Sequence, residues 1–239
     1  MTLASICQGA LREIGEFEVP DTFVGSANRT ATQMLNLAQR EGRVLSRRFD
    51  WQALTIRKTF TTTVAEIQTG AIPADFRHFK NLTWWDDTNQ WKLRGPATAN
   101  QWQILKSGIS AAAAQKWVRR RGNDLLLWPA PTVTTDTISY EYVSKYWVDT
   151  DADDAGDSAS WVADDDTALL DEELMQMGLV WRFLKSKGLP YEEEYNEYEI
   201  IVRSAMSHDK GHSDLYLASR VSDSFLIDHD NIPDTNYGS

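Results

Sequence analysis

Acidic, imidazole and thiol side chains are the first place to look for chemistry, and each group here has a plainer competing use. The stretch from Asp149 to Asp166 is dense in Asp, Ala and Ser. With Asp151 at position 1 of a calcium loop, Asp153 falls at position 3 and Gly156 at position 6, as a 12-residue loop requires. Ala155 and Val162 then occupy positions 5 and 12, where an oxygen ligand and a bidentate glutamate belong, so a solvated loop is the better reading. His208 and His212 stand four apart, a spacing that lets two imidazoles share a metal on one helix face. Gly211 falls between them at the expected helix end, and no third ligand is near. Glu172 and Glu173 are adjacent carboxylates that a glycan hydrolase would need as acid and base. Cys7 lies on an apolar stripe, and neither a Gly-x-Ser-x-Gly elbow nor a phosphate loop occurs. The expectation is a non-enzyme with no catalytic residue, no cofactor and no metal.

Tryptophan and arginine offer binding rather than catalysis. There are 10 tryptophans, most of them between Trp84 and Trp161. Trp84, Trp85, Trp91, Trp102, Trp117 and Trp128 fall on predicted strands, where alternation turns about half of them inward. Exposed indoles would stack on sugar rings, which makes a carbohydrate-binding module or a peptidoglycan hydrolase the alternative to an aromatic-cored β domain. Arg40, Arg43, Arg47 and Arg48 share the outer face of a predicted helix, and Arg119, Arg120 and Arg121 are consecutive. Either set could meet a phosphate backbone or a neighbouring subunit. The formal charge of −11 excludes a general nucleic-acid binder, but it is unevenly spread. Residues 1–148 carry 18 Lys and Arg against 13 Asp and Glu, a balance of +5; residues 149–239 carry 6 against 22, a balance of −16. A solvated acidic tail accounts for this imbalance most simply, and the competing reading is that opposite potentials steer copies head to tail.

The elements that must position these groups centre on Thr167 to His208. Leu170, Leu174, Met177, Trp181 and Leu184 recur at helical steps, with Asp166 or Thr167 as cap and Gly188 as stop. Pro190 restarts the chain, and Tyr191, Tyr195, Tyr198, Val202, Ala205 and Met206 form a second stripe. So short a connection makes the two helices antiparallel neighbours. Leu3, Ile6, Cys7, Ala10, Leu11 and Ile14 define a first helix. Ser26 is expected to cap a second, whose inner face is Ala27, Ala31, Met34, Leu35, Ala38, Leu45 and Phe49.

Between these pairs the period changes. Thr55 to Gln68, Leu82 to Trp85, Trp91 to Leu93, Trp102 to Leu105, Lys116 to Arg120, Asp124 to Trp128 and Thr137 to Trp147 read as strands, with hairpin turns at Asp86 to Gln90 and Arg121-Gly122-Asn123. The expected architecture is α+β. An antiparallel helical bundle (N-terminal helices in 1–54, a helical hairpin in 167–210) carries a β-rich insertion (55–148), an acidic loop (149–166) and an extended C-terminal arm (211–239). In that arm Leu215, Leu217, Phe225, Leu226 and Ile227 are too apolar for a segment meant only for water, so they are expected to dock on another surface.

The 239 residues suffice for one large domain or two small ones. No apolar run approaches the roughly 18 residues of a membrane span, so no membrane anchor is expected. The N-terminal residues lack the pattern of a secretory signal, and one cysteine fits a reducing cytoplasm.

The order of parts resembles the adaptor proteins of tailed bacteriophages (head-to-tail connectors, tail tubular A-like), especially those with short tails. The resemblance rests on Ala10-Leu11-Arg12-Glu13-Ile14-Gly15, on the second helix running into Phe49-Asp50-Trp51, and on Ile72-Pro73-Ala74-Asp75-Phe76. Leu127-Trp128-Pro129-Ala130-Pro131 before a Tyr-rich strand, and Leu179-Val180-Trp181-Arg182-Phe183-Leu184-Lys185 before Gly188, complete it over about residues 1–210. The resemblance implies a structural virion protein, made in the host cytoplasm and repeated as a ring, with twelve copies the expectation, beneath the portal. Its arm would embrace the portal or a neighbour, its β part would meet the nozzle or tail-fibre proteins, and its bore would pass viral DNA during ejection. Some relatives hydrolyse peptidoglycan, but no matching acid pair is found here.

Overall fold

The protein is described from a computed structural model covering residues 2–16, 18–107, 116–151 and 155–209. The chain divides into two units, Met1–Asp209 and Lys210–Ser239, and the second lies outside the described residues. The described unit is α+β, with antiparallel sheets.

Four of the five described α-helices begin where a short polar side chain occupies free amides of the first turn. Helix α1 (Leu3–Ile14) is capped by Thr2, whose hydroxyl accepts from Ser5 N, and closes at Gly15 in the left-handed conformation. Helix α2 (Arg29–Arg48) is capped by Asn28, whose Oδ1 accepts from the amides of Thr30 and Ala31. The expected cap, Ser26, instead accepts from Asn28 N, so the helix starts later than Ser26 suggested. The chain then makes a 3-10 turn at Gln52–Leu54.

The β region runs through β1 (Thr55–Thr61), β2 (Ile67–Gln68), β3 (Phe76–Phe79), β4 (Trp85–Asp86) and β5 (Trp91–Lys92). After helix α3 (Ala99–Lys106) come β6 (Trp117–Arg121), β7 (Asp124–Trp128), β8 (Thr137–Ser144) and β9 (Val148–Asp149). Strand β8 is the spine of the larger sheet. It pairs over Thr137–Val143 with the whole of β1 on one edge, and with β4 and then β3 on the other, while β5 extends β4. Its side chains are buried on both faces: Ile138, Tyr140 and Tyr142 in the core of the β region, Val143 in the main core, and Ser139 and Ser144 bonded to Asp87 and Asp75. The second sheet, β2-β7-β6, contributes Val118, Leu125 and Leu127 to a core shared with Trp84, Ile138 and Tyr140. Trp84 stacks on Tyr140 with centroids 4.3 Å apart, and the Tyr140 hydroxyl donates to Ala71 O at 2.6 Å.

Two strand expectations are corrected. Trp102 to Leu105 is part of α3: Thr98 accepts from Gln101 N, and the Gln101 side chain accepts from Thr98 N, a reciprocal cap that commits the segment to helix. Trp102 and Leu105 then pack beside Leu126 of β7. Thr55 to Gln68 is two strands, because the buried Gln68 amide bonds back to Thr63 and Ala65 and folds the intervening turn.

Past β9, strand β10 (Thr167–Ala168) pairs back with it, and helices α4 (Glu172–Lys187) and α5 (Glu192–Asp209) follow. The α4 cap is Asp171, accepting from Glu173 N and Leu174 N, rather than Asp166 or Thr167. Asp166 is buried and accepts from the amides of Val162 and Ala163, while Asp164 accepts from Phe23 N and Val24 N. The acids expected in a solvated loop are therefore spent on holding backbone, which is what Asp does where amides lack partners.

Helix α4 touches α1, α2 and α5. Leu174, Met175, Gly178, Leu179, Val180, Trp181 and Phe183 are all buried, which is more of the circumference than the single stripe read from the sequence. The main core gathers around this helix, with Leu3, Ile6, Leu11, Met34, Leu45, Trp147, Tyr198 and Val202 among its members.

The packing against α2 depends on a missing side chain. The Trp147 indole lies where a Cβ on Gly42 would be, and Trp147 is only 1% exposed. Alanine at position 42 gains up to about 1 kcal/mol of helix propensity, but it forces the indole aside at an overpacking cost of roughly 1–3 kcal/mol. Gly42→Ala is expected to lower the midpoint of chemical denaturation, and Trp147→Phe in the same chain to recover part of it. A midpoint equal to or above that of the unchanged protein would contradict this packing.

Candidate functional site

The α2 helix carries two opposite functions on its two sides. Inward, Glu41 is completely buried and accepts hydrogen bonds from Arg182 Nε of α4 and the Tyr198 hydroxyl of α5. Gly178 makes room for it, since a Cβ there would meet the Glu41 carboxyl at 2.5 Å. The Arg182 guanidinium also lies 4.3 Å over the Trp181 ring. Burial, with the Glu41 charge adding to it, pushes the Tyr198 phenol above its ordinary range, so it stays a donor. One carboxylate thus joins three helices, with both of its oxygens occupied.

Outward, Arg40, Arg43, Val44 and Arg47 are exposed, and with Arg48 they line a shallow groove of about 510 Å³. The four α2 arginines are not equivalent. Arg48 forms a bidentate pair with Glu199 of α5, at 2.7 and 2.5 Å. The Glu199 hydrogen bonds raise the Arg48 pKa, and those from Arg48 hold Glu199 below the usual carboxylate range. Arg43 donates from Nε to Gln39 O of its own helix at 3.0 Å. Among the described residues no carboxylate pairs with Arg40, Arg43 or Arg47.

The β6 arginines are divided by strand alternation. Arg119 and Arg121 line a groove with Glu66, Trp102 and Lys106, and the Arg119 guanidinium lies 5.9 Å from the Trp102 ring. Arg120 lies 4.6 Å over Phe76, with its Nε bonded to Gly122 O. The two sets of candidate arginines lie in separate places. Those of α2 line one groove, Arg119 and Arg121 line another, and Arg120 lines neither.

A larger groove, of about 790 Å³, has the opposite sign. It is lined by Glu13 of α1, Asp171 before α4, Glu172, Glu173 and Gln176 of α4, and Glu197 of α5. Gln176 ties its wall together by donating to Glu13 Oε2 at 3.1 Å. Glu172 and Glu173 are consecutive in the first turn of α4, about 100° apart around the helix.

The remaining sequence candidates fall in different surroundings. Trp84 and Trp102 are buried. Trp117 and Trp128 are half-buried beneath Arg94 and Lys106. Trp85 and Trp91 are exposed, but in the β4–β5 ladder Trp85 opposes Lys92 and Trp91 opposes Asp86, which turns the two indoles to opposite faces. They do not form a shared stacking platform. His208 is exposed near the end of α5, and His212 lies outside the described residues, as do Asp153, Leu215, Leu217, Phe225, Leu226 and Ile227. No group of three or more metal-ligating side chains is found among the described residues. At the first and twelfth positions of the loop considered for calcium, Asp151 donates its amide to Asp149 and Val162 donates its amide to Asp166. Cys7 is fully buried, and burial, followed by the Asp164 charge, pushes its thiol up to about 12.

Sequence reasoning missed Glu41, and it missed the pair of carboxylates Asp86 and Asp136 that share Lys116, each at 2.7 Å from Nζ. A Glu next to a Gly in mid-helix, on the inward side of an otherwise apolar face, was the available signal for the first.

Buried polar side chains are committed to joints between helices, and charged faces on α2 and beside α4 are left to solvent. The chain belongs to the SU10 adaptor protein family, whose model matches residues 1–211. No curated protein matches the chain. Membership gives it a structural role as a phage adaptor, a component of the virion that contacts other head or tail proteins. No helix among the described residues is long and apolar enough to cross a membrane.

Proposed function

We propose that the protein is the repeating subunit of an adaptor ring between portal and tail. The observation that carries this reading is the family match, which runs through the whole succession of N-terminal helices, β region and C-terminal helices. In it, α1, α2, α4 and α5 form an antiparallel bundle that makes the ring wall. The β region (55–148) faces the nozzle or tail-fibre proteins below, and twelve copies leave a bore for DNA during ejection. Residues 211–239 act as the arm, burying Leu215, Leu217, Phe225, Leu226 and Ile227 on the portal protein. The subunit is made in the host cytoplasm and works without a cofactor or a catalytic step.

The test is to mix the full chain with the portal ring of its own virus and image the mixture by negative-stain electron microscopy. A second ring stacked on the portal is expected, and it should be lost on deleting residues 211–239 while the shortened chain keeps its helical circular dichroism. Bare portal rings at high excess of the full chain would overturn the adaptor ring. Undiminished stacking by the shortened chain would overturn the role of the arm alone.

A further inference from the structure

The two charged grooves lie on opposite sides of one helix pair. On α4, Gly178 and Arg182 face Glu41 of α2. At roughly 100° per residue, Gln176 is about 160° and Glu173 about 220° around α4 from Gly178, so the acidic groove opens on the side away from α2. On α2, by the same spacing, Arg43 is about 200° and Arg47 about 240° around from Glu41, so the basic face looks away from α4. Along the line that stacks α2 on α4, the molecule is therefore positive on its outer α2 side and negative on the far side.

The faces also match in kind. The α2 face is an unpartnered helix surface: Arg40, Arg43 and Arg47 have no carboxylate partner among the described residues, and Val44, 42% exposed, sits among them. The acidic groove is a furrow between helices, with exposed Glu13, Glu173 and Glu197 along its rim and the apolar Met177 and Ile201 in its lining. The basic α2 surface, with Val44 among its arginines, matches such a furrow in sign, and each of the two carries apolar side chains that a contact would bury. Because the two surfaces differ and point in opposite directions, a contact between them is heterologous, the kind that repeats from copy to copy and closes when its rotation allows.

We infer that the Arg40, Arg43 and Arg47 ridge of one copy seats in the Glu13, Glu173 and Glu197 groove of the next, and that this is the lateral contact of the assembly. The inference rests on the ring reading above and names the surfaces that build it. It assigns the α2 arginines to a neighbouring protein subunit rather than to DNA, since a carboxylate-lined counterpart of opposite sign is present on the same molecule.

The test combines a cross-link with charge reversal in the full chain, each variant first checked for unchanged circular dichroism. Val44→Cys together with Glu173→Cys places one thiol on each surface, and buried Cys7 does not compete for oxidation. Oxidising portal-bound rings of this variant with copper phenanthroline should give a ladder of covalent multimers on a non-reducing gel, absent with either cysteine alone. Arg43→Glu with Arg47→Glu, or Glu173→Arg with Glu197→Arg, should cut the fraction of portals carrying a second ring at least tenfold. All four changes together should restore it. Rings that form normally without the ladder, or that ignore both reversals, would overturn this contact and leave the adaptor ring standing. Intact rings with weakened retention of a 30-base-pair duplex in the arginine variant would overturn it in favour of DNA. Absence of a second ring with the unaltered chain would remove the ring reading, and this contact with it.

Discussion

Replacing Glu41 with alanine is expected to lower the thermal midpoint by on the order of 10 °C, although the change removes a charged residue from a predominantly acidic protein. Glu41 is 0% exposed, and its partner Arg182 has only a tenth of its side chain exposed. Removing one member of a buried pair leaves the other charge desolvated and unpaired, at roughly 3–5 kcal/mol. In a unit of this size each kcal/mol moves the midpoint by about 2–4 °C. The Tyr198 hydroxyl loses its acceptor at the same time, so two donors from two helices are orphaned by one truncation.

A triple variant separates the value of the charge from the value of filling the space. Glu41→Leu, Arg182→Met and Tyr198→Phe together remove every member of the joint and are expected to recover most of the lost stability, because an apolar replacement of a whole buried network is often neutral. Differential scanning calorimetry reads both the single and the triple change. A Glu41→Ala midpoint within about 2 °C of the parent would mean that the joint contributes little to holding α2, α4 and α5 together.

Much of the scaffold that holds this joint could be read directly from residue order. The α1 stripe of Leu3, Ile6, Cys7, Ala10 and Leu11 is buried as its spacing requires, and the hairpin at Gly122 and Asn123 falls within one residue of expectation. Both depend on local rules, one on helical period and one on turn chemistry. What escaped depends on partners far away in sequence. Glu41 falls on the inward face between Ala38 and Leu45, but the groups that make its burial tolerable, Arg182 and Tyr198, are 141 and 157 positions on. Asp164 looks like solvated loop until it reaches the amides of Phe23 and Val24, about 140 positions back. The α3 error had a local remedy: Thr98-x-x-Gln101 is a capping box, and the aromatic and β-branched character of Trp102 and Ile104 outweighed it in the strand reading. Of the candidate surface, the α2 ridge was legible because Arg40, Arg43 and Arg47 share a helical face. The acidic groove was not, because α1, α4 and α5 each contribute part of it.

The β region has its own buried ion cluster, and its removal should show a distinctive dependence on pH. Lys116 reaches Asp86, whose side chain is 3% exposed, and Asp136, whose side chain is 13% exposed. For Asp86, burial works to raise the pKa, but hydrogen bonds from Lys116 and Asn89 outweigh it and hold the carboxyl below its ordinary range. For Lys116, burial works to lower the pKa, and the two carboxylates outweigh it and hold the ammonium above its ordinary range. Asp86 therefore contributes stability at pH above its unfolded value of about 4, and that contribution is lost as pH falls through the depressed folded value. Lys116 contributes fully below its unfolded value of about 10.4 and loses its contribution as pH rises through the raised one. Lys116→Met leaves two carboxylates facing each other without a cation. A loss of about 3 kcal/mol is expected at pH 7, at the low end for a buried pair because the lysine is 18% exposed. The gap between parent and variant should then narrow as pH falls from 7 to 3, since protonated carboxyls no longer need the ammonium. Urea denaturation at the two pH values decides it. A gap that stays constant would mean that Lys116 stabilises the sheet by packing its methylene stem, and that the charges at this site offset one another.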